Sequence, residues 1–161
     1  HSSLSENGKN RLLTRSEELD AERKALHLLS YAPHSKEMLK AKLKKRGFSD
    51  NAIKKAIKRI EELGYLDDKM YAENWLSIQI QRNPKGKALL LAELLKKGIA
   101  KELALECLSV INQEKELELA YKVLKKILKS THLNNQKIKI KQKLHQRGFP
   151  LHIINKIVNQ D

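Results

Sequence analysis

Apolar residues recur at spacings of three and four along most of the chain, the period with which one face of an α-helix meets a core. Ala52, Ile53, Ala56, Ile57, Ile60 and Leu63 make one such stripe, Leu103, Ala104, Cys107, Leu108 and Ile111 a second, and Ile153, Ile154, Ile157 and Val158 a third. A short motif precedes each stripe: Leu43-Lys44-Lys45-Arg46-Gly47-Phe48, Leu94-Leu95-Lys96-Lys97-Gly98-Ile99 and Leu144-His145-Gln146-Arg147-Gly148-Phe149. The three glycines lie 51 and 50 positions apart. Each has a Leu four residues before it, a basic residue directly before it and a large apolar residue directly after it. Repetition at about 50 residues points to a stacked array of small units rather than one globule.

A basic residue followed by Gly reads as a helix C-terminus. Gly takes the left-handed conformation that satisfies the last carbonyls, and the cation stands at the negative end of the helix dipole. A further periodic segment lies upstream of each such helix, at about residues 16 to 31, 67 to 81 and 114 to 130. The expected architecture is therefore all-α: three tandem three-helix repeats forming an elongated, curved array. Residues 1–15 are expected to be a flexible leader or an expression-derived segment, followed by repeats over 16–66, 67–112 and 113–161. Thr14-Arg15-Ser16-Glu17 reads as a capping box for the first helix, and Ser35 as an N-cap after the stop at Pro33. Pro84 reads as part of an opening turn, and Asn134 or Asn135 as the cap of the corresponding third-repeat helix.

Composition agrees with helices, since six Gly and three Pro in 161 residues are too few for a turn-rich β protein. Charge adds a partner class. Lys and Arg number 33 against 19 Asp and Glu, a net +14 that calls for a polyanion or an acidic protein surface. The excess is uneven: residues 25–60 carry ten basic and two acidic side chains, whereas 61–81 carry one basic and five acidic. The balance is again positive over 82–101, negative over 102–118 and positive over 119–161, and the positive blocks coincide with the Gly-ended helices. Few aromatic residues are available for base stacking, and most of them sit at apolar positions expected to be core.

Catalytic chemistry finds little footing. Cys107, the only cysteine, lies in an apolar stripe and reads as a small core residue, and it excludes an intrachain disulfide. His27 and His34, like His145 and His152, are seven apart without a completing metal motif and read as surface or capping residues. Asp67 and Asp68 fit a helix cap and a favourable dipole charge better than paired catalytic carboxylates. No glycine-rich phosphate loop is present, and no apolar run reaches the roughly 18 residues of a membrane span. The expected protein is cytoplasmic, with no cofactor, no metal and no membrane partner.

Several blocks resemble one family. These are Ala25-Leu26-x-Leu28-Leu29, Ser35-x-x-x-Leu39-x-x-Lys42-Leu43-x-x-Arg46-Gly47-Phe48 and Leu63-Gly64-Tyr65-Leu66-Asp67-Asp68-x-x-Tyr71-Ala72. Two more agree: Gly86-Lys87 through Glu93-Leu94-x-x-Lys97-Gly98-Ile99, and Leu144-x-x-Arg147-Gly148-Phe149. Over about residues 21 to 160 the chain resembles RecX, the bacterial regulator of the RecA recombinase. Where many members carry Gly-Pro, this chain has Asn83-Pro84-Lys85-Gly86.

The resemblance implies three tandem three-helix repeats and a non-enzymatic modulator, mainly a negative regulator. Such a protein binds in the groove of the RecA filament on DNA and acts in homologous recombination, DNA repair and the SOS response. It also implies a monomer that leaves direct contact with single- or double-stranded DNA open. The alternative reading is a direct nucleic-acid-binding helical module. The residues expected to touch filament or phosphate are Lys40, Lys44, Lys45 and Arg46 in the first repeat and Lys85, Lys87, Lys96 and Lys97 in the second. Lys141, Lys143 and Arg147 are their counterparts in the third, with Arg46 and Arg147 equally suited to capping their helices.

Overall fold

In the computed structural model, which describes residues 5–130 and 136–159, every regular element is a helix. They are α1 (Glu6–Tyr31), α2 (Lys36–Lys45), α3 (Asp50–Glu62), α4 (Asp68–Arg82), α5 (Lys87–Lys96), α6 (Lys101–Leu108), α7 (Gln113–Ser130), α8 (Lys137–Gln146) and α9 (Leu151–Val158). The order is three tandem three-helix repeats, as the motif spacing predicts. No helix among the described residues is long and apolar enough to cross a membrane.

The repeated glycines end α2, α5 and α8 as expected: Gly47, Gly98 and Gly148 have φ of 90°, 84° and 90°. Behind them the N–H groups of Phe48, Ile99 and Phe149 donate to the carbonyls of Leu43, Leu94 and Leu144 at 3.4, 3.1 and 3.2 Å. These are the six-to-one bonds of a Schellman turn, and they fold the apolar residue after Gly onto its own helix. Ile99 and Phe149 are thereby buried and Phe48 half-buried.

The chain divides into two compact units, one ending at Tyr71 and the other beginning at Ala72. In the first, α1 packs against α3 and α2. Ala25, Leu39, Leu43, Ile53, Ile57, Ile60 and Leu66 form its core, with Leu26, Leu28, Leu29 and Phe48 packed against them. In the second, α5 packs with α6, and α7, α8 and α9 pack on one another. Leu90, Leu94, Leu108, Ile111, Leu119, Leu144, Phe149, Ile153 and Ile154 are its fully buried large side chains. Cys107 is buried, as its stripe position predicts.

Several expectations are corrected. The first helix starts at Glu6, not at the Thr14–Glu17 box: the Ser5 hydroxyl accepts the Gly8 N–H, and no proline interrupts the chain between there and Tyr31. Thr14 instead donates to the Asn10 carbonyl at 2.8 Å within the helix. Leu12 and Leu13 on this stretch stay exposed. Pro84 precedes α5, whose N-cap is Gly86. Leu63 is the C-cap of α3 and half exposed, because Gly64 turns the chain immediately after it. Tyr31 and Tyr65 are 78% and 63% exposed, so the tyrosines are not mainly core; Tyr31 is the last residue of α1 and Tyr65 lies in the α3–α4 connector, beyond the buried stripes of their helices. Ser35 caps α2 as expected, accepting the Met38 N–H at 3.2 Å. Asn134 and Asn135 lie outside the described residues.

Candidate interaction surface

The middle helix of each repeat buries two apolar positions and turns its lysines outward. On α2, Leu39 and Leu43 face the core while Lys44, Lys45 and Arg46 are exposed and Lys40 is half exposed. Lys40 pairs with Glu37 at 3.0 Å and Lys44 with Asp50 at 3.5 Å, both solvated pairs worth at most about 1 kcal/mol. Arg46 caps α2 through its backbone N–H, which donates to the Leu43 and Lys44 carbonyls, and its guanidinium is left at the surface.

Two further lysines of α2 have definite partners. Lys36 meets Glu61 at 2.9 Å, and that hydrogen bond, outweighing the cost of burial, holds its ammonium above the ordinary lysine range. The Lys42 ammonium lies 2.6 Å from Nε2 of His34, and Nδ1 of the same ring lies 2.7 Å from the Ala32 carbonyl, so both ring nitrogens have hydrogen-bond partners. Of the surface and capping roles expected for it, His34 does not take the first: it is 5% exposed, and its ring meets the carbonyl of Ala32, the C-cap residue of α1. Its two ring partners make that burial tolerable.

In the second unit the expected contacts separate. Lys85 is buried, and its ammonium lies 2.7 Å from both carboxylate oxygens of Glu93. The connector ahead of α5 runs inward at Pro84, Lys85 and Gly86, all buried, and takes the lysine with it. Lys87 is half buried, Lys96 is exposed, and the Lys97 ammonium stands 5.7 Å over the Trp75 ring as a cation–π pair. Lys141 donates to Asn155 Oδ1 at 3.2 Å, and Arg147 to Asn83 Oδ1 at 3.4 Å. Lys143 and Arg147 line a cleft of about 460 Å³ together with Lys126 of α7, a residue the sequence reading did not single out. Its neighbour Ile127 belongs to the buried stripe of α7, but only the packing of α8 shows that Lys126 edges a cleft.

Carboxylates do structural work around these helices. Asp67 caps α4, accepting the Met70 N–H at 3.1 Å. Asp68 reaches away to accept the N–H of Lys36, the first residue of α2, at 2.8 Å. Glu116 of α7 accepts the N–H of Lys87, the first residue of α5, at 3.2 Å. An acidic side chain at the start of one repeat thus satisfies an orphan amide of the preceding repeat's middle helix, at the positive end of its dipole. Burial, and then the neighbouring Asp68 charge, raise the Tyr71 phenol above its ordinary range. Among the described residues no group of three or more His, Cys, Asp or Glu could hold a metal ion.

Fold and surface together define a protein of tandem three-helix repeats with cationic middle helices. Residues 21–59 match the family description "RecX, first three-helix domain" and residues 67–108 match "RecX, second three-helix domain". The chain belongs to the RecX family. It is 32% identical over 137 residues to the regulatory protein RecX of Chlorobium phaeobacteroides, covering 84% of this chain and 89% of that one. It is 35% identical over 136 residues to the regulatory protein RecX of Bacillus licheniformis, covering 83% of this chain but 52% of that longer relative. The crystal structure of RecX from Lactobacillus salivarius superimposes with a TM-score of 0.79 at 25% identity, covering 91% of this chain and 97% of that one. A second crystal structure of a regulatory protein RecX shares the fold with a TM-score of 0.86 at 21% identity, over 99% of this chain and 80% of that one.

Proposed function

We propose that this chain is a non-enzymatic modulator of RecA, mainly a negative regulator, which binds in the groove of the RecA–DNA filament and limits recombinase activity. The observation that carries this reading is the match of two successive three-helix domains to RecX. On it the protein acts as a cytoplasmic monomer in homologous recombination, DNA repair and the SOS response. The repeats span 16–66, 67–112 and 113–161. Lys45, Arg46 and Lys96, exposed at the ends of α2 and α5, are the cations best placed to meet acidic groove surface or phosphate. Lys40, Lys44, Lys87, Lys97, Lys141, Lys143 and Arg147 support them, while Lys85 serves its own fold.

A second reading, direct binding to nucleic acid, is favoured by residues 119–159, which carry ten basic side chains and no acidic one. Titrations of naked and RecA-coated single strands at matched ionic strength separate the two. The filament reading expects much tighter binding to the coated strand, with slowed strand exchange at substoichiometric protein. Equal affinities, with RecA ATP hydrolysis and strand exchange unchanged, would sink it.

A further inference from the structure

The cleft of the second unit is built from three elements. Val123 and Ile127, on the buried stripe of α7, form an apolar floor, and Pro84 of the α4–α5 connector adds to it. Around that floor stand the cations of Lys126, Lys143 and Arg147, and among the described residues no carboxylate lines the space. Lys143 and Arg147 are four apart on α8 and so share a face, as do Lys126 and Ser130 on α7. Among the described residues neither Lys126 nor Lys143 has an ion-pair partner, whereas the better-defined lysines elsewhere, Lys36 and Lys85, are each neutralised by a Glu. Like charges gathered without a counter-ion repel one another, a cost that an anion in the cleft would remove.

We propose that this cleft is a phosphate-binding site sized for a nucleotide. Its volume of about 460 Å³ falls in the range of natural small-molecule sites. Three cations suit a phosphate, which carries up to two negative charges and three acceptor oxygens, better than a single carboxylate. The Arg147 guanidinium supplies a planar fork for two of those oxygens. Asn83, Ser130 and Gln146 on the rim offer hydrogen bonds to a sugar or base, and the apolar floor takes the uncharged part of the ligand. The same chemistry serves a free nucleotide or one unit of a single strand. The site goes beyond the RecA reading, since it needs no RecA.

The test titrates the full chain, without RecA, against inorganic phosphate, dAMP and a short oligodeoxythymidylate, comparing Lys126→Glu with Lys125→Glu. Lys125 is exposed, adjacent on α7 and outside the cleft, so it carries the same change of global charge. The site predicts saturable binding of dAMP or of the oligonucleotide, weakened about tenfold or more by Lys126→Glu and about twofold or less by Lys125→Glu. Binding of dAMP with phosphate competition marks a free nucleotide as the ligand, and binding of the oligonucleotide alone marks strand phosphodiesters. Lys126→Gln repeats the comparison should charge reversal disturb α7. Equal losses in the Lys125 and Lys126 variants, or no saturable binding, would overturn the site. A chain that then still bound RecA-coated DNA would leave the RecA reading standing.

Discussion

The backbone N–H of Gly86 donates to the carbonyl of Arg147 at 2.8 Å, joining the turn before α5 to the turn after α8 by main chain alone. The approach leaves no room for a side chain on either strand of the joint. A Cβ on Gly86 would overlap the Gly148 carbonyl, and one on Gly148 would overlap Leu89. Gly47 has the same φ of +90° as Gly148 but nothing within 4 Å of its Cβ position.

These two glycines therefore separate conformational strain from overlap. Gly47→Ala is expected to cost about 1–2 kcal/mol, the strain of a left-handed alanine. Gly148→Ala pays that strain and an overlap with backbone, and should cost clearly more. Gly86→Ala should destabilise the second unit with no left-handed strain at all. Urea unfolding followed by the fluorescence of Trp75, the only tryptophan and a member of that unit, reads the latter two; circular dichroism reads the first. A Gly86→Ala protein as stable as the parent would contradict the close approach.

Asp68→Asn and Glu116→Gln test the carboxylates that hold the starts of α2 and α5. Each variant keeps an acceptor but loses the charge facing the helix dipole, whereas Asp68→Ala and Glu116→Ala lose both. The alanine variants should cost about 0.5–2 kcal/mol, as N-cap losses do, and the amides less. Chemical denaturation of the four proteins supplies the comparison.

Acid stability should depend on Glu18. This buried residue of α1 meets Lys55 of α3 at 3.1 Å and Arg15 at 3.3 Å. The Lys55 hydrogen bond, working against desolvation and aided by Arg15, lowers its pKa from the ordinary 4.5. A lowered folded-state pKa gives stability that is full above 4.5 and lost as pH falls through the lowered value. Glu18→Gln should therefore narrow the gap in stability between neutral and strongly acidic solution. Denaturation midpoints of parent and variant at both extremes check the sign.

The positions of the cations make a functional prediction. Lys45→Glu with Arg46→Glu should weaken binding to RecA-coated single strands several-fold, because both side chains are exposed and without an ion-pair partner among the described residues. Lys85→Met should leave that binding unchanged, since its ammonium is already held by Glu93. Anisotropy of a labelled strand distinguishes them, and an equal loss in both would move Lys85 into the contact surface.

Core leucines should behave uniformly where the cations do not. Leu43, Leu94 and Leu144 occupy the same place in each repeat and are all 0% exposed. Leu→Ala at any of them is expected to cost about 2–5 kcal/mol. A much smaller loss at one of the three, by calorimetry or denaturant, would show that its repeat is packed differently.

The sequence by itself determined the helices, the threefold repetition and the residues that end each middle helix. These depend on local chemistry: the period of three and four, Ser35 as a hydroxyl cap, and glycine where a left-handed turn must close. Even there, propensity did not place the start of α1, because a helix continues until something stops it, and Ser5 rather than Thr14 does so. Charge density was equally legible, but the fate of each charge was not. Only the tertiary structure turned Lys85 inward to Glu93, sent Asp68 to the end of a neighbouring helix, buried His34 between Lys42 and Ala32, and set Lys126 at the edge of a cleft with Lys143 and Arg147. The borrowed cap and the cleft join residues from elements far apart in sequence, whose distances come from packing, which no local pattern encodes. His34 and Lys85 meet partners within eight residues, but whether a connector turns such a side chain inward depends on the elements that cover it.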